Sequence, residues 1–212
     1  MEISLDNIGK RFQREWIFRK VSLNLVQNDR VAILGANGSG KSTLLQILSG
    51  YLTPSEGKII WKQNDQMIGV QDVYKQVALA TPYMTLYEDF TLRENIQFFS
   101  SFKSFRSQLS LLEVAEKMGL SAHIDKPLKF YSSGMKQRVK LGLAIMSDTN
   151  ILLLDEPSSH LDSNAIFLYQ NLVQEFSANR IICVASNKEE TETLFCNKQL
   201  EVADFKGLDV RV

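Results

Sequence analysis

The chain has little of what marks a secreted, metal-caged or membrane-embedded protein. Its 212 residues include 2 cysteines, 2 histidines and 4 prolines. Cys183 and Cys196 sit in apolar surroundings without metal-ligand spacing, so they read as reduced core or near-core residues of a cytosolic protein. No run approaches the ~18 consecutive apolar residues that a bilayer-spanning helix needs. Met1–Arg11 alternates apolar and charged residues and holds no signal-peptide core. The expected place is therefore the cytoplasm, with any membrane reached through a partner and from the cytoplasmic face. A surplus of one charge is also missing, since 24 Lys and Arg balance 24 Asp and Glu. Binding a phosphate backbone needs a basic excess on some face, so nucleic acid is not expected as the main partner.

What is present is the balance of an ordinary globular protein, 44 % hydrophobic and 23 % charged. The length suits one domain, or one core carrying a subdomain. Ile3 and Leu5, then Val21, Leu23 and Leu25, follow a period of two and predict strands, with a turn between them in the polar and aromatic segment Lys10–Lys20. Val31–Leu34 is short, apolar and bounded by glycine, as a strand buried on both faces must be. A glycine-rich turn follows, then a helix over Thr43–Ser49 with Leu44, Leu45 and Leu48 on one stripe and Gly50 at its end. Glu56–Trp61 and Val77–Ala80 read as strands. The stretch from about Tyr83 to Asn150 reads as mostly helical. Ile151–Leu154, a helix near Ser163–Ser177 and the strand Arg180–Ala185 complete an alternation that predicts an α/β core with a parallel sheet.

The turn after Leu34 reads Gly35-Ala36-Asn37-Gly38-Ser39-Gly40-Lys41-Ser42-Thr43. It satisfies G-x-x-x-x-G-K-[S/T] and lies where that motif must lie, after a buried strand and opening a helix. Glycines let successive backbone N–H groups converge on phosphate oxygens, and the helix start adds its dipole and unpaired N–H groups. Lys41 is expected to reach the β- and γ-phosphates of ATP, and the Ser42 hydroxyl to ligate Mg²⁺. The alternative is a glycine-rich turn that matches by chance.

Ile151–Leu154 runs into Asp155-Glu156-Pro157. In a parallel sheet the carboxyl ends of the strands face the ligand crevice. Asp155 suits a role in holding Mg²⁺, and Glu156 suits polarising an attacking water. Without the upstream loop, two solvated acids closing a strand would explain the pair equally well.

Tyr131-Ser132-Ser133-Gly134-Met135, followed by Lys136-Gln137-Arg138, is similar to the LSGGQ-x-Q-R signature of ABC transporter nucleotide-binding domains. Ser132, Gly134, Gln137 and Arg138 match the pattern; Tyr131, Ser133 and Met135 depart from it. Taken alone, Ser132 reads more readily as an ordinary helix N-cap. With the P-loop and the carboxylate pair, the resemblance covers nearly the whole chain. It implies a P-loop ATPase core with an N-terminal antiparallel β-subdomain, and an inserted helical subdomain at 83–140 within the single domain 1–212. It also implies ATP sandwiched between two copies, the Ser132–Gly134 segment of one contacting the γ-phosphate held by the other. Ser159-His160-Leu161-Asp162 resembles the D-loop at such a dimer seam. Phe12 stands where the family stacks an aromatic on adenine; an edge-strand aromatic is the plain reading, and Trp16 is a rival. Asp89–Asn95 resembles the start of the helical subdomain on which membrane subunits dock. Tyr83, Tyr87 and Phe90 fit either that interface or the core.

Two positions depart from the family. Pro82 stands where a Mg²⁺-ligating glutamine is usual, and Asn187 where a histidine touches the γ-phosphate. An amide donates to phosphate but cannot carry positive charge. The resemblance implies an ATP-hydrolysing subunit, with Glu156, Lys41 and Asn187 as catalytic candidates, powering a transporter whose membrane chains are separate. A weakly hydrolysing regulatory clamp is the rival reading. A repair or translation ATPase of the same superfamily fits less well, since such proteins usually carry long insertions or tandem cassettes.

Overall fold

The computed structural model describes residues 1–187 and 189–206; Lys188 and the expected domain end at 212 lie outside the described residues. Strands β1 (Glu2–Phe12) and β2 (Glu15–Val26) form an antiparallel hairpin. The turn expected across Lys10–Lys20 is confined to Gln13 and Arg14, and the residues on either side are strand. Register shifts between Leu5 and Ile8, Ile8 and Lys10, and Lys10 and Arg11 break the alternation by which a strand is read from sequence. After the hairpin come β3 (Arg30–Leu34), α1 (Lys41–Leu48), β4 (Glu56–Gln63), β5 (Gln66–Ile68), α2 (Val70–Val73) and β6 (Val77–Ala80). The middle of the chain supplies α3 (Leu92–Ser100), α4 (Leu111–Lys117) and α5 (Ser133–Met146). It closes with β7 (Ile151–Asp155), α6 (Ser163–Phe176), β8 (Ile181–Ser186), α7 (Glu190–Thr193) and β9 (Lys198–Glu201).

The strands sort into a 4-stranded sheet, β2-β1-β4-β5, and a 5-stranded sheet, β6-β7-β8-β3-β9. Every pairing in the first is antiparallel and every pairing in the second parallel. This is the α/β fold expected, a parallel core sheet with an antiparallel N-terminal subdomain. Side chains alternate across the parallel sheet. Ile151 and Leu153 of β7 join α1 and the N-terminal sheet in one core, while Leu152 and Leu154 join α3, α5 and α6 in the other. All residues of β7 and β8 are buried, which is why both read as unbroken apolar runs.

The helices begin where capping chemistry directs. Thr91 with Glu94 and Ser110 with Glu113 form capping boxes at α3 and α4, and Asp162 caps α6. Arg180 is fully buried and closes two helix ends, its guanidinium donating to Ile145 O at 2.5 Å and to Phe176 O at 3.5 Å. Burial pushes its pKa down to about 9, which leaves a cation at neutral pH, the charge a helix C-terminus favours. Cys183 is buried and Cys196 half-buried, both free thiols, and burial pushes both above the ordinary thiol range. Neither is thereby poised to react. Helix α5 runs without a break through residue 140, the boundary expected from sequence. Among the described residues, no helix is long and apolar enough to cross a membrane.

Candidate active site

The loop Gly35–Thr43 leaves β3 and enters α1 through Gly40, the N-cap, at φ 107°. A side chain there would run into Ile17, and the left-handed backbone would be strained for any other residue. No side chain caps α1 and no acid occupies its first turn, so its leading N–H groups stay available to an anion. Lys41 is 4 % exposed. Its ammonium donates to Gly35 O at 2.8 Å, Ala36 O at 3.2 Å and Asn187 Oδ1 at 2.5 Å, so all three donors are engaged. A cavity of about 440 Å³ opens beside them, lined by Asn37–Thr43 together with Ile17, Tyr83 and Glu156.

Asp155 ends β7 and is buried at 3 % exposure. Burial raises its pKa, and a hydrogen bond from Ser42 opposes the rise. Among the described residues its Oδ1 has no partner. A carboxylate so placed, beside a hydroxyl at the P-loop, is a donor set for a hard cation. Mg²⁺ is such a cation, bound through one or two carboxylates with phosphate and water completing its shell. Glu156 adopts φ 47°, an unusual backbone state of a kind that costs about 1–3 kcal/mol and gathers at functional sites. Its N–H donates to Ala185 O at 2.9 Å, fixing the turn against β8. Its carboxylate lies 3.9 Å from Lys41 Nζ and accepts from Asn187 Nδ2 at 3.1 Å. The same Asn187 amide donates to Asn37 Oδ1 at 2.6 Å.

Lys41, Ser42, Asp155, Glu156 and Asn187 thus converge at the carboxyl edge of the parallel sheet. Ser132 and Gly134 do not join them and do not line the P-loop cavity. Ser132 caps α5, accepting from Met135 N at 3.2 Å. A methyl group on Gly134 would lie 2.8 Å from His160 O, so glycine permits α5 to press on the segment that follows Glu156. Gln137 Nε2 ties the same segment by donating to Pro157 O at 3.1 Å. A second cavity of about 420 Å³ lies here, lined by Ser133, Lys136, Lys140, Pro82 and His160 among others. Phe12 is 49 % exposed at the end of β1, with Lys10 Nζ 5.1 Å from its ring centroid. Ile17 rather than Phe12 or Trp16 lines the P-loop cavity. Trp16 lies between Arg19 at 4.3 Å and Arg11 at 5.5 Å.

Tyr83, Tyr87 and Phe90 are exposed, which answers the question between interface and core in favour of surface. Tyr87 contacts Phe90 and Phe98, and Phe98 contacts Phe102, at centroid distances of 5.3, 4.8 and 5.1 Å. One residue escaped the sequence reading altogether. Glu192 is 2 % exposed, and its Oε1 accepts from Ser158 N at 2.9 Å and Ser158 Oγ at 2.7 Å. It anchors the chain two residues beyond Glu156. Nothing in the polar run Glu189–Thr193 marks it for burial.

The ABC transporter family profile matches residues 18–159, two thirds of the chain. The uncharacterized ABC transporter ATP-binding protein YybJ of Bacillus subtilis is 29 % identical over 201 residues, covering 94 % of this chain and 92 % of that protein. Of several longer relatives the chain spans 57 % or less. In structure it is similar to an ABC transporter ATP-binding protein from Pyrococcus furiosus, with TM-score 0.81, 18 % identity and coverage of 98 % and 100 %. It is also similar to the ATP-binding cassette MJ0796, a dimer bound to ADP and Pi, with TM-score 0.79, 21 % identity and coverage of 94 % and 93 %. The chain belongs to the ABC transporter family and is one of its ATP-binding ATPase subunits.

Proposed function

We propose that this cassette binds ATP with Mg²⁺ on the Gly35–Thr43 loop and hydrolyses it within a sandwich of two cassettes, driving separate membrane-spanning subunits. The observation that carries the reading is the buried Asp155 carboxylate, one of its oxygens without a partner among the described residues, set beside Ser42 and next to Glu156. Its burial raises the free energy of the ionised form, which a bound cation would offset. Residues Gly35, Ala36, Asn37, Gly38, Ser39, Gly40 and Thr43 supply the loop that cradles phosphate, and Lys41 turns its ammonium to the β- and γ-oxygens. Ser42 and Asp155 hold Mg²⁺, which neutralises charge on the phosphates. Glu156 orients and polarises the attacking water.

Asn187 donates to the γ-phosphate through its amide, in the place where the family has histidine, and Pro82 fills the sensor position without a side-chain ligand. Both departures lower rate and coupling rather than nucleotide binding. The Ser132–Gly134 segment serves the ATP held by the second cassette, a reading supported by its place outside the lining of the P-loop cavity. Phe12 takes the adenine once nucleotide draws the hairpin end inward. The aromatic surface from Tyr83 to Phe102, on the helical segment 83–140, receives the membrane subunits, since exposed apolar patches of this kind mark interaction sites. The cassette then sits at the cytoplasmic face without entering the bilayer, and nucleic acid has no part in its work.

Labelled ATP binding to Lys41→Ala tests the site. The substitution removes the Lys41 ammonium from the β/γ position, so affinity and hydrolysis fall together. Unchanged binding would remove the P-loop assignment. Pro82, which offers no side-chain donor or acceptor, favours a second reading as a slow ATP-dependent clamp. Steady-state ATPase of the wild type beside Glu156→Gln separates the two, because a clamp turns over no faster than the variant.

A further inference from the structure

The parallel pairing of β6 with β7 matches Val77 to Ile151, Leu79 to Leu153 and Ala80 to Leu154. Side chains follow the pairing: Val77, Ile151 and Leu153 pack in the core on the α1 side with Leu79 against it, while Ala78, Ala80, Leu152 and Leu154 pack on the other. One step further along each strand, the period of two brings Thr81 and Asp155 out on the α1 side, abreast of one another. A cavity of about 330 Å³ is lined there by Ser42, Thr81 and Asp155, with Gln46, Tyr51 and Leu79 behind them. Asp155 Oδ1 is buried and has no partner among the described residues. The Thr81 carbonyl accepts from Met84 N at 3.2 Å, and among the described residues its hydroxyl makes no hydrogen bond. Pro82 turns the other way. Its carbonyl accepts from Lys140 Nζ at 2.8 Å, and it lines the separate cavity beside Ser133.

We propose that Thr81, the residue before the sensor position, supplies the oxygen that Pro82 lacks, so that its hydroxyl joins Ser42 and Asp155 in holding the divalent cation that accompanies ATP. The inference rests on the nucleotide-site reading above and adds a cation ligand to it. A hydroxyl suits the task chemically, because Mg²⁺ and Mn²⁺ favour oxygen ligands and a neutral one adds no further charge beside Asp155 and Glu156.

The test uses the full chain, Mn²⁺ and the β,γ-methylene analogue of ATP. Free Mn²⁺ is read by electron paramagnetic resonance, and nucleotide affinity is measured separately in chelator. Thr81→Val keeps the β-branched shape and removes only the oxygen. It is expected to weaken Mn²⁺ retention in the ternary complex about 10-fold, the scale of one lost oxygen partner, with nucleotide affinity in chelator unchanged. Thr81→Ser restores retention to within about twofold, and Pro82→Ala leaves it at the wild-type value, since neither removes an oxygen. Wild-type retention by Thr81→Val overturns the role of Thr81 while leaving the nucleotide site intact. So does an equal loss with Pro82→Ala, which would trace the effect to loop shape. If the wild type holds neither Mn²⁺ nor the analogue, the nucleotide site itself falls, and the role of Thr81 with it.

Discussion

The amide of Asn187 joins Lys41 to Glu156: its Oδ1 accepts from the lysine ammonium at 2.5 Å and its Nδ2 donates to the glutamate carboxylate at 3.1 Å. One uncharged side chain therefore bridges the Lys41 ammonium and the Glu156 carboxylate, which lie 3.9 Å apart. Asn187→Ala removes this bridge together with the proposed phosphate donor. Hydrolysis is expected to fall about 10²-fold, the cost of one transition-state donor, with ATP affinity changed little. Asn187→His keeps a donor at the same place and should match or exceed the wild-type rate. Single-turnover hydrolysis of labelled ATP reads both variants. A wild-type rate for Asn187→Ala would deny Asn187 a catalytic role.

Asp155→Asn should separate stability from function. Burial disfavours the ionised carboxylate and raises its pKa, so the nucleotide-free fold carries a cost at neutral pH that a neutral amide relieves. The variant is expected to melt about 2–4 °C higher without nucleotide, the shift that ~1 kcal/mol produces in a chain of this size. It should also lose the further rise that ATP with Mg²⁺ gives the wild type. Scanning fluorimetry with and without nucleotide makes the comparison; a lower melting point without nucleotide would contradict it.

The strand–turn–helix around the P-loop was legible because each piece carries its own signal: an apolar run, glycines at fixed offsets and a leucine stripe. The parallel order of the sheet followed from Ile151–Leu154 and Ile181–Ala185, buried on both faces and so apolar at every position. Sequence failed where tertiary context overrides pattern. Bulges in β1 hid the strand beyond Lys10. β9 reads Lys-Gln-Leu-Glu and, at the sheet edge, buries only Leu200, so no alternation shows. Thr81 acquires its place from the β6–β7 register, and Glu192 from the path of the chain after β8. Neither relationship exists along the sequence.

Glu192→Ala should weaken the fold and loosen the turn that holds Glu156. Its carboxylate accepts from both Ser158 N–H and Ser158 O–H, which are partly buried. Losing that acceptor costs about 1 kcal/mol, the low end of the range for an unsatisfied buried group. The urea midpoint should drop accordingly, while Glu192→Gln, which keeps an acceptor oxygen, should lose less. Equal midpoints for Ala and wild type would mean that the contact contributes nothing to stability.

The role of Ser132 depends on the sandwich of two cassettes. Sedimentation velocity of Glu156→Gln with ATP and Mg²⁺ tests it most directly. The substitution keeps the hydrogen-bonding shape of the side chain and removes the carboxylate proposed to polarise water, so ATP should stay bound and hold two cassettes together. The expected result is a species of twice the monomer mass that dissociates when ADP replaces ATP. A single monomeric boundary at saturating ATP and Mg²⁺, in a variant that still binds ATP, would contradict the account.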